Sequence, residues 1–250
     1  MLKLCIFIFN LALKCHEERI LERAAGLAFR VLLAFFPFIV FLMALMGYLN
    51  LDESAILSGL YDVLPNDISD LVAGFVYELS ETRSGGILSA ALFFSVYNTT
   101  NGFRAIIRYV NMAYGIEERR GIVKQVWLSF VLMLLFSGAL VVMLGMLVFG
   151  RTLLMAFGAL AILTFTTMLI YRLACAKKLP IRHVLPGAAF TVLAWVTAST
   201  FFGFITQNFT QYPAIYGSIA GVFILILWLN VISVVLLFGN QVNALLADFV

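Results

Sequence analysis

The chain has 250 residues, of which 63% are apolar and only 12% are charged, and its mean hydropathy is +1.05. A typical soluble domain is about 45–50% apolar and about 25% charged. This composition therefore excludes a typical soluble enzyme, a disordered chain and a nucleic-acid-binding module with a basic face. It predicts an integral membrane protein with a single membrane domain, residues 1–250, and the net charge of +3 is too small to indicate a polyanionic partner.

The N-terminal segment predicts a helix that lies in the membrane interface. Its apolar run, Leu4 to Leu13, is shorter than the about 17–25 residues that cross a bilayer, and no small-x-small cleavage site follows it. Lysine and arginine flank the apolar residues, as in amphipathic interfacial helices. We therefore expect an interfacial helix over residues 2–22.

Six apolar stretches follow, and each is long enough to cross a bilayer as a helix. They are residues 24–49, 86–110, 123–149, 153–173, 184–205 and 216–246. Thirteen lysines and arginines lie before the first span, in or beyond the last turns of the second, or in or beyond the last turn of the fourth, whereas two lie on the other side, Arg83 and Arg151. The spans therefore predict an all-α membrane protein, and the positive-inside rule predicts that both of its termini lie in the cytoplasm.

The connection over residues 50–85 is long and acidic. Apolar residues at helical spacing run from Ile56 to Leu64 and from Ile68 to Leu79, which predicts a pair of amphipathic helices outside the membrane. The pair either packs as a cap on the bundle or serves as a lid or a partner-docking surface.

Two residues inside the first predicted span are unusual in hydrocarbon. Arg30 lies about 9 Å into the span at helical rise, where it either snorkels back to the headgroups or contributes to a substrate site. Pro37 lies in the middle of the span, where it removes a backbone hydrogen bond and kinks the helix.

One face of the second predicted span is polar, and Asn98 lies in the same span beside this face. Its members are spaced by three or four positions and share one side of a helix: Tyr97, Asn101, Arg104, Arg108 and Asn111. The face predicts a water-filled vestibule in which Arg104 and Arg108 bind phosphate or carboxylate. Alternatively, the amides join helices while the arginines follow the positive-inside rule.

The sixth predicted span combines small residues with amides. Gly217 and Gly221 form a G-x-x-x-G pattern, which permits close packing against another helix and so allows a homo-oligomer. Asn230 lies in mid-span and Gln241 lies near the cytoplasmic end. Because polar groups are costly in hydrocarbon, we expect Asn230 and Trp228, which is also in mid-span, to face protein or a cavity.

The sequence contains no recognisable catalytic or metal-binding pattern. It lacks the H-E-x-x-H, G-x-S-x-G and P-loop motifs, and the predicted spans contain no carboxylate, which disfavours a proton relay. We therefore expect no enzyme activity, no cofactor, no metal ion and no nucleic-acid partner.

Several short patterns extend in order from about residue 23 to residue 246. They are RAAGLAF (23–29), LAFFP (33–37), GFR (102–104), NMAYG (111–115), EERR (117–120) and LPGA (185–188), then Trp195, residues 212–217, Trp228, Gly239 and Asn243. Together these patterns resemble the YihY / virulence factor BrkB family of bacterial inner-membrane proteins. The resemblance implies a six-helix membrane bundle.

The resemblance also implies which functions to consider. Members of the family were once labelled as a tRNA-processing ribonuclease, a label generally regarded as mistaken, and some are associated with serum resistance or envelope lipid export. This chain departs from the family pattern at Gln241, where a glutamate is usual. A proton- or cation-linked role for that carboxylate is therefore not expected here.

Two functions remain open from the sequence. The first is a transporter or flippase-like protein for an anionic amphiphile such as a lipid, whose headgroup would be held by Arg30, Arg104 and Arg108. The residues expected to line the polar path are Asn98, Asn101, Asn111, Asn230 and Gln241. The second is a non-transporting scaffold that docks envelope proteins through residues 50–85.

Overall fold

The computed structural model describes residues 2–48, 61, 66–81, 85–149, 153–208 and 219–248. Across these ranges the ordered elements are all α-helices. Their bounds are α1 Leu2–Glu17, α2 Ile20–Tyr48, α3 Asn66–Glu81, α4 Gly85–Ala113, α5 Ile122–Phe149, α6 Leu153–Ala174, α7 Ile181–Asn208 and α8 Ile219–Asp248. The described part of the chain is therefore all-α, as the sequence predicts.

Five of the described helices are long and apolar enough to cross a membrane: α2, α5, α6, α7 and α8. The second predicted span forms α4, a helix of 29 residues, but its polar stretch from Tyr97 to Arg104 keeps it out of that group. Large apolar side chains lie on the outside of the bundle, with Val123 84% exposed and Leu154 80% exposed. Such a surface favours lipid over water.

The six long helices pack as a closed ring. Neighbours contact each other in the order α2, α4, α5, α6, α7 and α8, and α8 returns to α2. Helix α4 also contacts α6 and α8, so it lies toward the inside. Five of the helices contribute almost completely buried side chains to the shared core: Leu27, Ile107, Leu132, Tyr171 and Val184.

Several connections meet at one end of this ring, which we call the basic end. It comprises the α1–α2 turn, the α4–α5 connection (114–121), the α6–α7 connection (175–180) and the last turns of α8. Asn111 at the end of α4 bonds to Ala174 at the end of α6, and Gln241 of α8 contacts Glu18. The sequence assigns these same connections to the cytoplasm.

The helix predicted over residues 2–22 is divided in two. α1 ends at Glu17 and α2 begins at Ile20, because Arg19 between them has a φ of 48°, a left-handed conformation that interrupts an α-helix. α1 packs Leu11 against Val242 of α8, whereas Phe9 is 64% exposed.

Helix α3 has the periodicity that the sequence predicts. Ile68, Val72 and Val76 are buried and pack in a cluster with Trp228 of α8. Gly221 also faces α3, since a Cβ there would lie 3.1 Å from a methyl group of Leu71. In the shorter predicted helix over residues 56–64 only Tyr61 belongs to the described residues, and Gly217 lies outside them.

Candidate functional site

The eight residues predicted to bind substrate lie on three helices. Arg30 is on α2, five are on α4 and two are on α8; the latter seven are Asn98, Asn101, Arg104, Arg108, Asn111, Asn230 and Gln241. Arg30 and Arg108 are exposed, Asn111 and Gln241 are buried, and the other four are partly buried.

The polar face of α4 is divided between exposed and buried residues. Arg108 is exposed, whereas Asn111, three residues later on the same face, has no exposed surface. Higher on the helix, Nη1 of Arg104 donates to Oδ1 of Asn101 at 3.5 Å. The face therefore offers cations in its accessible part and a structural amide at its lower end.

The chain leaves α4 through a Schellman motif. Gly115 has a φ of 63°, which glycine adopts without the strain that a Cβ would cause. The N–H of Gly115 donates to the carbonyl of Met112, and the N–H of Ile116 donates to the carbonyl of Asn111, as in other helix ends of this type. The turn directs the following residues back toward the bundle.

Asn111 joins the two connections of the basic end. Its Nδ2 donates to Oε2 of Glu118 at 2.7 Å and to the carbonyl of Ala174 at 3.0 Å. Its Oδ1 accepts from the N–H of Ala176 at 2.7 Å. A buried amide with partners for both its donor and its acceptor holds a single geometry, so Asn111 fixes the α4–α5 connection against the α6–α7 connection.

Arg120 adds an ion pair to this junction. The backbone N–H of Arg120 donates to Oε1 of Glu118 at 3.0 Å, and its side-chain Nη1 donates to the carbonyl of Ala174 at 3.2 Å. The guanidinium Nε lies 3.7 Å from Oε1 of Glu118, and the side chains of Arg120 and Glu118 are 15% and 13% exposed. The charge of Arg120 is thus held in a fixed position.

Helices α7 and α8 cross at two glycines. A Cβ on Gly187 would overlap the carbonyl oxygen of Gly239, and a Cβ on Gly239 would overlap the hydroxyl of Thr191. Oδ1 of Asn243 accepts from the N–H of Gly187 at 2.7 Å. The two backbones approach each other because neither residue has a side chain.

Tyr171 brings α6 into the same crossing. Its hydroxyl donates to the carbonyl of Leu236 at 2.6 Å and lies 2.8 Å from Oγ1 of Thr191. Thr191 in turn donates to the carbonyl of Gly187 at 2.8 Å. Because Tyr171 is only 1% exposed, this network is sealed from solvent.

Gln241 lies beside the α1–α2 turn. Its Nε2 donates to Oε1 of Glu18 at 3.5 Å, and Oε2 of Glu18 pairs with Nη1 of Arg23 at 2.6 Å. Burial, with a contribution from Glu18, raises the pKa of the Cys15 thiol to about 11. The thiol therefore stays protonated at neutral pH, and the one carboxylate of this group is already paired.

Four buried side chains in the described part of the chain have a polar atom with no hydrogen-bond partner. The atoms are Oγ1 of Thr99, Nε1 of Trp228, Oδ1 of Asn240 and Nδ2 of Asn243. The first is on α4 and the others are on α8, and these two helices contact each other. An unsatisfied buried polar group costs about 1–3 kcal/mol, so each calls for an explanation.

Known proteins are similar to most of this chain. The sequence profile described as virulence factor BrkB matches residues 12–249. The ribonuclease-like protein YfkH of Bacillus subtilis is 31% identical, over 92% of this chain and 90% of that protein. A UPF0761 membrane protein of Neisseria meningitidis serogroup B is 24% identical over 98% of this chain, which spans 64% of the length of that relative.

A shorter match covers one part of the chain. A UPF0761 membrane protein of Pseudomonas aeruginosa is 36% identical over 81 residues, or 32% of this chain. No solved structure is significantly similar to this chain.

Proposed function

This chain belongs to the virulence factor BrkB family of membrane proteins, and we propose that it moves an anionic amphiphile, such as a phospholipid, across the bacterial inner membrane. In this proposal α4 is the sixth span, beside α2, α5, α6, α7 and α8. The basic end and both termini face the cytoplasm, as the distribution of lysine and arginine predicts. The proposal assigns the chain no catalytic step.

The observation that carries the proposal is the set of unsatisfied polar atoms on α4 and α8. Thr99 and Trp228 are 5% and 8% exposed, and Asn240 and Asn243 are 1% and 0% exposed. Polar groups inside a membrane bundle are costly and therefore mark substrate pathways. A polar headgroup that passes along α8, which carries three of the four atoms, would supply missing partners, whereas a helix that only packs would gain from apolar residues there.

The accessible cations of α2 and α4 complete the proposed path. Arg104 is partly buried and Arg108 is exposed, and both lie on one face of α4. Arg30 is exposed on α2, the helix that packs most closely with α4. A guanidinium binds phosphate oxygens through two parallel hydrogen bonds, so these side chains suit a phosphate headgroup.

Removal of both arginines of α4 tests the proposal. Vesicles that contain the purified protein and a fluorescent phosphatidylglycerol report transport as the rate at which the label becomes accessible to an external quencher. We expect Arg104→Ala/Arg108→Ala to transport about 10- to 100-fold more slowly, since one hydrogen bond to a charged group contributes about 1.5–3 kcal/mol.

A charge-matched control separates this effect from a general loss of positive charge. Arg172→Ala/Arg182→Ala removes two exposed cations that lie outside the α4 face, and it should keep the wild-type rate. Equal rates for wild type and Arg104→Ala/Arg108→Ala would refute the assignment of these arginines. No protein-dependent transport of any anionic lipid by the wild-type protein would refute the function itself.

One observation favours the alternative of a scaffold that docks envelope proteins through residues 50–85. In α3 the apolar residues Ile68 and Val76 are buried against the bundle, while Tyr77 is 64% exposed and remains available to a partner. Site-specific cross-linking from Tyr77 in cells tests this alternative. A reproducible protein adduct together with no transport would favour the scaffold over the transporter.

A further inference from the structure

An open groove of about 860 Å³ lies at the basic end. The α4–α5 connection and the start of α5 form most of its wall, and Ala176 of the α6–α7 connection closes one side. Three of its lining residues are cations, Arg119, Arg120 and Lys124, and one is an acid, Glu117. The groove therefore carries a net positive charge.

The three cations differ in how firmly they are held. Arg119 pairs with Glu117 at 3.6 Å, but their side chains are 87% and 85% exposed, so this pair is weak and easily exchanged. Arg120 is fixed by Glu118 and by the carbonyl of Ala174. Lys124 is exposed in the first turn of α5. One positioned cation and two exposed ones thus surround the same space.

The α6–α7 connection adds positive charge beside the groove. Burial raises the pKa of the Cys175 thiol and Glu118 adds to this, while a backbone hydrogen bond with Lys177 and the charges of Arg120 and Lys177 lower it. The two connections, which Asn111 joins, bring their charges together.

The start of α5 also favours an anion. α5 is a helix of 28 residues, and the amides of its first turn point away from the helix with a partial positive charge. Gly121 precedes the helix and has no side-chain oxygen to cap these amides. The nearby amide of Gln125 instead donates to the carbonyl of Arg120 at 2.8 Å.

The surface next to the groove is suited to lipid chains. Ile122, Val123 and Trp127 follow at once on α5 and are 71%, 84% and 66% exposed. α5 is one of the helices that are long and apolar enough to cross a membrane, and tryptophan is typical of the level at which headgroups meet hydrocarbon. A phospholipid whose phosphate lies in the groove would therefore have its acyl chains beside these residues.

We propose that this groove binds the phosphate of an anionic glycerophospholipid from the leaflet at the basic end. Arg120 and the first-turn amides of α5 hold the phosphate oxygens, Arg119 and Lys124 close over them, and the acyl chains lie along Ile122 and Val123. The site rests on the membrane location of the chain and not on the proposed transport, since it would bind lipid in a scaffold as well.

Native mass spectrometry of the detergent-purified protein, titrated with phosphatidylglycerol or phosphatidylcholine, tests the site. We expect tight binding of phosphatidylglycerol, weaker binding of phosphatidylcholine, and about 30-fold weaker binding of phosphatidylglycerol to Arg119→Ala/Lys124→Ala, since each of the two cations near a membrane surface contributes about 1 kcal/mol. Both side chains are exposed, so the variant should unfold at the wild-type temperature.

The matched control is again Arg172→Ala/Arg182→Ala, whose residues do not line the groove, and it should bind as the wild type does. An unchanged affinity in Arg119→Ala/Lys124→Ala, or an equal loss in the control, would overturn the site. Inorganic phosphate and glycerol phosphate distinguish the source of the ligand, and we expect them to compete only at far higher concentration. Equal affinity for inorganic phosphate would overturn the lipid assignment. Because binding is measured without transport, a failed transport assay leaves this result unaffected.

Discussion

Replacing Gly187 with alanine is expected to prevent the bundle from forming its native packing. The added methyl group would overlap the carbonyl oxygen of Gly239 and the side chain of Asn243. Overpacking of a core costs about 1–3 kcal/mol where side chains can move aside, and more where they cannot. Here the obstacle is backbone, so we expect a loss above about 3 kcal/mol and a fall in Tm of at least roughly 6 °C.

The measurement is the fraction of detergent-purified protein that stays monodisperse after heating. Gly138→Ala on α5 is the matched control, because a Cβ there meets nothing within 4 Å. An alanine is favoured over glycine in a helix by about 0.5–1 kcal/mol, so this variant should be as stable as the wild type or slightly more stable. Equal stability of Gly187→Ala and Gly138→Ala would show that α7 and α8 do not cross at this glycine.

Replacing Asn111 with alanine is expected to loosen the basic end. The change removes the partners of Glu118 Oε2 and the Ala176 N–H, and it leaves the Ala174 carbonyl with only its bond from Arg120. Each polar group left buried without a partner costs about 1–3 kcal/mol, and the ion pair of Arg120 with Glu118 loses its support. We expect a loss of about 3 kcal/mol or more, measured by the same heating assay.

Asn98→Ala is the control for this change. Asn98 is also on α4, but its amide donates to the carbonyl of Phe94 within its own helix at 2.9 Å. Its removal should change the stability by less than about 1 kcal/mol, because a local bond at a partly exposed site contributes little. If both alanine variants unfolded at the same temperature, Asn111 would not join the two connections.

The positions of the long helices follow from the sequence because apolar runs of this length can hide their backbone polar groups only as helices. The break between α1 and α2 does not follow from it. No glycine or proline lies next to Arg19, and nothing in its side chain signals the φ of 48° that ends α1. That conformation depends on tertiary packing, since Glu18 pairs with Arg23 and contacts Gln241, 223 positions away.

The candidate site was only partly predictable for a related reason. Helical spacing places Arg104, Arg108 and Asn111 on one face, but it does not indicate what covers that face. Asn111 is buried because the α6–α7 connection lies over it, and its partner Ala174 is 63 residues away. Helical spacing therefore does not distinguish a residue that would line a vestibule from an amide that joins two connections.

The patterns that carry the family resemblance have a shared physical role. Gly187 and Gly239 lie in separate segments of the sequence, yet they meet where α7 crosses α8. Asn243 bonds to Gly187 at the same crossing. In the sequence each of these residues belongs to one of the patterns, but only the fold shows that the three residues meet in one contact. Tyr171 and Thr191, which complete it, belong to no motif.

The closure of the ring by α8 against α2 has a consequence for the synthesis of the protein and its insertion into the membrane. Synthesis runs from the N-terminus, so α2 to α7 emerge and enter the bilayer before the helix that joins α7 back to α2 exists. Until α8 arrives, the face of Gly187 and Thr191 on α7 and the turn at Glu18 lack their partners. Contacts between distant segments form late and slowly, so α8, which follows the other five helices of the ring in the chain, closes the ring. An interruption of translation before α8 would leave an open arc in the membrane.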